Sequence, residues 1–241
     1  MSARQHTFRV IDERLQEVGH RVLALAAVVE HQYHMLARAL AEREDGALER
    51  VVREDTRVDQ GELEIDGLVV AFLSTLSPVA SDLRRMLATT KAARELERAG
   101  DEARNAARRL GELADTNRHA ILDGPLAVVA CLVAEQMDRA CVALVNLDPT
   151  VAQEAIRADR EVNAKVRALR ETSCQLDADI RVILPYVALG HSLERGGDHA
   201  KVIAKLALGA ATGVDVRHRR IRKETSRLRS VSKARCVIFA R

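Results

Sequence analysis

Aromatic residues make up only 2% of the 241-residue chain, and tryptophan is absent. A chain so poor in rings offers no stacking platform for single-stranded nucleic acid, and its core must be built from aliphatic side chains. Proline is equally scarce at four residues, so long helices can run without interruption. Cysteine occurs four times, as Cys131, Cys141, Cys174 and Cys236, with no C-x-x-C pair and no framework spacing. The first three read as small apolar residues in a reducing compartment. No run of about 18 apolar residues could span a bilayer, and the start, MSARQHTFRV, lacks the apolar region of a signal peptide. The cytoplasm is the expected location. Catalytic signatures are missing too: there is no G-x-x-x-x-G-K-[ST], nucleophile elbow or H-E-x-x-H.

What is present is a helix-forming composition. Hydrophobic residues account for 47% and charged residues for 30%, with Ala, Leu, Arg, Glu and Val dominant, and the class reads all-α. The net charge of +3 averages two unlike parts. From Val214 to Arg241 ten Lys and Arg face only Asp215 and Glu224, a net of +8, while the remainder carries 28 basic and 33 acidic residues, a net of −5. An acidic helical body bears a basic tail.

Apolar residues at three- and four-residue steps predict six helices. The first spans about Phe8 to Arg43 and carries His31 and His34, read as solvated or capped rather than as metal ligands. Asp45-Gly46 is the expected turn, followed by a helix from Ala47 to near Leu76. Asp55, Glu62 and Asp66 fall in or beside its apolar stripe, with Asp59 on the flank. Acids on an apolar face need a counter-charge or a metal. Ser77-Pro78 breaks the chain, and the third helix covers about Val79 to Asp115 with Gly100 at the centre of its seam. A mid-helix glycine costs about 1 kcal/mol against alanine, and close approach of a neighbouring backbone is the expected return. Asp123-Gly124-Pro125 is the next expected turn, then a fourth helix from Leu126, a turn at Asn146 to Pro149, a fifth helix, and a sixth from Asp179 to Leu208 that includes Pro185.

One string organises the rest. Leu96-Glu97-Arg98-Ala99-Gly100-Asp101-Glu102-Ala103 returns 97 residues later as Leu193-Glu194-Arg195-Gly196-Gly197-Asp198-His199-Ala200. Each copy sets two carboxylates at i and i+4 on one helix face, where like charges repel mildly and a cation would relieve them. Asp82-Leu83-Arg84 recurs as Asp179-Ile180-Arg181 at the same interval, and Asp55-x-x-x-Asp59 as Asp159-x-x-x-Asn163. The expected architecture is two antiparallel three-helix bundles related by a pseudo-twofold, 1–116 and 117–213, followed by a flexible basic tail, 214–241.

On these motifs the sequence resembles the PhoU family of phosphate-uptake regulators, whose members carry an E(D)-x-x-x-D metal signature in each of two three-helix units. The resemblance covers about Phe8 to Gly213. It implies metal ligands at Asp55, Asp59, Glu62, Glu97 and Asp101 in the first half and at Asp159, Asn163, Glu194 and Asp198 in the second. Oxygen-only ligands favour hard ions such as iron(III), magnesium or manganese. The implied role is negative regulation of phosphate uptake and of the phosphate-starvation two-component response. The implied partners are the phosphate ABC transporter ATPase (PstB-like), a sensor histidine kinase (PhoR-like) and a second copy of the chain as a homodimer.

The halves differ. Val166 and Arg170 stand where Glu62 and Asp66 would fall, and Asn163 replaces Asp59, so the first site is expected to bind metal more tightly. Gly196-Gly197 is expected to soften the helix where Asp198 must be aimed. A carboxylate-bridged di-metal enzyme is the alternative, although neither Glu97 nor Glu194 has a histidine three residues on, and His191 and His199 read as surface residues. A DNA-binding repressor ranks last, because an acidic body opposes phosphate contact. The tail is expected to touch anionic surfaces at most.

Overall fold

The computed structural model describes residues 3–76, 78–114 and 118–214. Six helices follow one another: α1 (Ala3–Glu42), α2 (Asp45–Thr75), α3 (Ala80–Ala114), α4 (Ala120–Asn146), α5 (Pro149–Gln175) and α6 (Ile180–Thr212). They form two three-helix bundles, α1–α3 and α4–α6. The bundles join along α1 against α4 and α3 against α6, while α2 and α5 pack only within their own bundle, on opposite flanks. Arg84 beside Gly213, His199 beside Glu95 and Arg109 beside Ser192 show α3 and α6 running antiparallel. Alanines are frequent in the buried faces of these two helices: Ala92, Ala93, Ala99, Ala103, Ala106, Ala200, Ala204 and Ala207 are fully buried. Small side chains let helix backbones approach closely, so the core closes without aromatic bulk.

The duplication is imperfect in one place. α2 has 31 residues against 27 in α5. α3 also starts three residues earlier, relative to the shared string, than α6 does. The two halves therefore stay in register at one offset before the α2–α3 connection and at another after it.

Two expected turns lie elsewhere. Arg43 takes the left-handed conformation (φ 57°) and Glu44 precedes α2, so Gly46 sits inside the first turn of α2. Glu44 holds the reversal by pairing with Arg38 at 2.8 Å and with Arg50, which removes the need for a glycine there. Asp123-Gly124-Pro125 is helical, because α4 begins at Ala120. Near a helix start the proline forfeits one backbone hydrogen bond at most. Asp123 is buried, accepting from the Tyr186 hydroxyl at 2.8 Å and pairing with Arg118 at 3.3 Å. Arg118 also donates to the carbonyls of Ala39 and Leu40, bolting the connection between the halves onto the last turns of α1, where a cation is favoured. The Asn146–Pro149 turn stands as expected. Leu147 is left-handed, Asp148 caps the amides of Thr150 and Val151, and Pro149 opens α5.

Among the cysteines, Cys141 is buried, Cys131 half-buried and Cys174 exposed, so only the first two serve as small apolar residues. Cys236 and the tail beyond Val214 lie outside the described residues.

Candidate metal sites

The acids of the first half come together across α2 and α3. Asp55, nearly buried, pairs with Arg104, and the same guanidinium reaches Asp101 at 2.6 Å. Burial alone would lower the Arg104 pKa, but the hydrogen bond to Asp55 and the charges of Asp55, Asp101 and Asp59 raise it instead. The Glu97 carboxyl titrates above its usual range, first because it is partly desolvated and then because Asp101, Asp59 and Glu62 crowd it with like charge. Asp59 is exposed and Glu62 half-buried. Asp66 adds an oxygen that is buried and unpartnered among the described residues. Thus Glu97 sits among the like charges of Asp59, Glu62 and Asp101, and Arg104, held by Asp55 and Asp101, is the one cation among the described residues that pairs with any of these acids.

The second half is balanced internally. Asp159, 3% exposed, accepts from Lys201 at 2.6 Å and from the Asn163 amide at 3.1 Å. Lys201 lies 3.6 Å from Asp198, which is exposed, and Arg170 pairs with Glu194. The Asp159 carboxyl is raised by burial, against the opposing hydrogen bond and charge of Lys201. Arg170 is decisive because its counterpart is Asp66. At the position from which the second half supplies a cation to the motif glutamate, the first half carries an anion.

Sequence reading passes over Arg104 and Lys201. They directly follow the repeated string, three residues after Asp101 and Asp198, so the repeat has a ninth, basic member in each half. It also misses a matched pair, Gln32 and Gln136, whose amides donate to the carbonyls of Val51 and Gly197.

The motif glycines are close-approach positions, though not to backbone. A methyl at Gly100 would meet Val58 at 3.1 Å and Gln32 at 3.3 Å; at Gly197 it would meet Gln136 and Val162, both at 3.3 Å. The repeat thus lays a glutamine and a valine over each glycine. α6 runs unbroken through Gly196-Gly197, so the two glycines make room for neighbours and do not interrupt the helix.

His199 is not a surface residue. It is 14% exposed and its Nδ1 lies 2.7 Å from Glu95 of α3, a link between the bundles and not a ligand to the acidic set. His191 is exposed, as expected. His31 pairs with Glu54 at 3.2 Å and His34 with Glu30 at 3.4 Å.

A hard cation suits the first site by charge, since Asp55, Asp59, Glu62 and Asp101 leave Arg104 outnumbered and Glu97 crowded. In the second, Lys201 and Arg170 already occupy the carboxylates, and an ion would have to displace an ammonium. Among the described residues no three His, Cys, Asp or Glu side chains stand close enough to grip one ion as they are placed, so the first site is a set of opposed carboxylates and not a closed cage.

The crowding has a consequence for pH. A folded pKa raised above the unfolded value means that the folded state binds more protons, so stability rises as pH falls through the carboxylate range. Glu97→Gln is therefore expected to raise the melting temperature by about 2 °C at neutral pH without added metal. The advantage should fade near pH 4, where wild-type Glu97 is itself protonated. Scanning calorimetry at both pH values checks this; a lower melting point for the variant at neutral pH contradicts it.

The comparisons with known proteins follow the same lines. The PhoU domain matches residues 22–110 and 127–207. A Pseudomonas aeruginosa protein named phosphate-specific transport system accessory protein PhoU homolog is 31% identical over 90% of this chain and 91% of its own length. The crystal structure of PhoU from Pseudomonas aeruginosa superposes with a TM-score of 0.76 at 28% identity, over 84% of this chain and 99% of that one. A Streptococcus pneumoniae structure described as a phosphate transport system regulatory protein shares the fold (TM-score 0.78, 22% identity, 86% and 99% covered). Proteins of this kind are regulatory accessories, not catalysts, and the di-metal enzyme alternative falls with that finding. On the matched domains, the duplicated acidic motif and the paired bundles, the chain belongs to the PhoU family.

Proposed function

We propose that this chain is a metal-binding regulator of phosphate transport. It restrains phosphate uptake and the phosphate-starvation response as an adaptor between the phosphate transporter's ATPase and a sensor histidine kinase. The relatives' role as accessory proteins of a phosphate-specific transport system supports the regulatory reading. The observation that carries the metal reading is the charge of the first site, the five carboxylates of Asp55, Asp59, Glu62, Glu97 and Asp101 against Arg104. Asp55, Asp59, Glu62, Glu97 and Asp101 would hold the ion, and the cation would supply the charge that the helices α2 and α3 lack between them. Asp159, Asn163, Glu194 and Asp198 form a weaker second site, because Lys201 competes for two of them. Metal bound at the first site would draw α2 toward α3, and α2 is the flank free of the other bundle. That gives the ion a structural output that a partner can read.

Titration of manganese into Asp101→Ala and Asp198→Ala proteins tests the inequality. Asp101→Ala is expected to weaken binding about tenfold, roughly 1.4 kcal/mol, and Asp198→Ala much less. Equal losses in affinity and stoichiometry count against it. The adaptor reading is tested by pull-down from cells grown in high phosphate, with and without chelator. Recovery of neither a transporter ATPase nor a histidine kinase sinks it.

A further inference from the structure

Away from both acidic sites, the first turns of α3 and the last turns of α6 enclose a groove of about 200 Å³. Arg84 and Lys91 stand on its α3 rim and Lys205 on its α6 rim, above a floor of Ala88, Leu206 and Gly209. Beside it Leu83 and Leu87, one turn apart, are 39% and 46% exposed. No Asp or Glu occurs between Asp82 and Glu95 on α3, or after Asp198 on α6. Neither Arg84 nor Lys91 is in an ion pair among the described residues. In a chain whose body is net acidic, this is a local cationic and apolar surface.

The duplication provides an internal control. At the opposite end of the molecule Ile180 and Leu184 repeat the exposed apolar pair, at 68% and 62%. There, however, Ala188 replaces Lys91, Arg109 replaces Leu206 and Glu112 replaces Gly209. The rim cation is lost, the cation gained on the floor donates to Ser192, and an anion takes the place of Gly209, so the two ends are not equivalent electrostatically. The basic, glycine-floored groove belongs to one end.

We infer that this groove docks an acidic amphipathic helix of a partner protein. A helix laid between α3 and α6 would set its apolar face on Leu83, Leu87 and the floor, and its carboxylates against Arg84 and Lys91. Charge complementarity of that kind fixes register and speeds encounter. A bilayer surface is too flat to reach a floor recessed below its rims, and a phosphate backbone has no use for the exposed leucines. The inference rests on the groove and not on metal.

The test uses the full chain in EDTA at about 0.1 M salt, where charges are still felt over about 10 Å. The probe is a fluorescein-labelled amphipathic peptide of about 18 residues, with leucines on one face and glutamates flanking them. A lysine-for-glutamate version and phosphatidylglycerol vesicles are run beside it. Arg84→Glu/Lys91→Glu and Leu87→Ser change exposed side chains, and circular dichroism confirms their helix content. The basic segment after Val214 is common to every variant, so differences report the groove. The acidic peptide is expected to bind at least tenfold more weakly to the double variant and about threefold more weakly to Leu87→Ser. The lysine peptide should bind the double variant better than wild type. Equal binding of the acidic peptide to wild type and double variant overturns the inference. So does no binding to wild type, or dependence on Arg84 and Lys91 seen with vesicles alone.

Discussion

Gly196→Ala is expected to destabilise the protein by about 3 kcal/mol, far more than the same change at an ordinary helical glycine, where alanine is favoured by about 1 kcal/mol. A methyl at position 196 would fall on the Tyr33 hydroxyl and lie 2.7 Å from Cζ of the ring. Tyr33 has nowhere to withdraw. It is fully buried, and its hydroxyl donates to the Ala99 carbonyl at 2.8 Å. Moving the ring breaks that bond inside the core; holding it forces α1 and α6 apart. Burial also drives the phenol's pKa upward, so ionisation offers no escape. Tyr33→Phe alone should cost about 1 kcal/mol, the ordinary net value of a buried hydrogen bond. In that background Gly196→Ala should cost at least about 1 kcal/mol less than in wild type, with rescue incomplete because the ring itself still crowds the methyl. Urea denaturation of the four proteins gives the cycle. Additive costs would mean that the two groups do not meet.

Gly100→Ala sharpens the contrast. Its nearest neighbours, Val58 and Gln32, stand at 3.1 and 3.3 Å, close enough to need small shifts but not to be overlaid. The helix-propensity gain of about 1 kcal/mol offsets much of that cost. The two substitutions separate close approach from mere tightness.

The helix count, the paired bundles and the opposed acids are legible in the sequence because all three rest on periodicity. A 3.6-residue apolar stripe and a string repeated at a fixed offset both survive translation into three dimensions. Turn chemistry is less dependable. Asp123-Gly124-Pro125 carries the residues of a turn, yet Asp123 has buried partners in Arg118 and Tyr186 that make it worth more inside a helix. Arg43 reverses the chain without glycine because Arg38 and Arg50 fix Glu44 from both sides. His199 looks polar in a polar stretch, but antiparallel pairing of α3 with α6 carries it to Glu95, and such a pairing has no local signature. The repeat nevertheless holds clues at single positions. Ala99 matches Gly196, and Tyr33 matches Met137. That asymmetry marks the place where a tyrosine hydroxyl replaces a methyl.

Lys201→Ala is the second substitution expected to cost about 3 kcal/mol, toward the lower end for a carboxylate that loses its cation in a buried setting. The cost stays at that end because Lys201 is itself 29% exposed and part of its interaction is screened. Asp159, at 4% side-chain exposure, would keep the Asn163 amide as its remaining partner. Its carboxyl already titrates high through burial, with Lys201 pulling the other way; without the lysine it titrates higher still. The folded variant then binds more protons than the unfolded chain across the carboxylate range, so its deficit is full at neutral pH and shrinks as pH falls. Asp159→Asn in the same chain removes the stranded charge and should recover most of the loss. Thermal unfolding of the single and double variants between about pH 4 and pH 8 decides the matter. A deficit that ignores pH, or one that Asp159→Asn leaves untouched, would show that Lys201 contributes packing and not charge. If the deficit behaves as a buried charge, Lys201 does for Asp159 what Arg104 does for Asp55, and the halves differ instead at Arg170, which pairs with Glu194 and whose counterpart in the first half is Asp66.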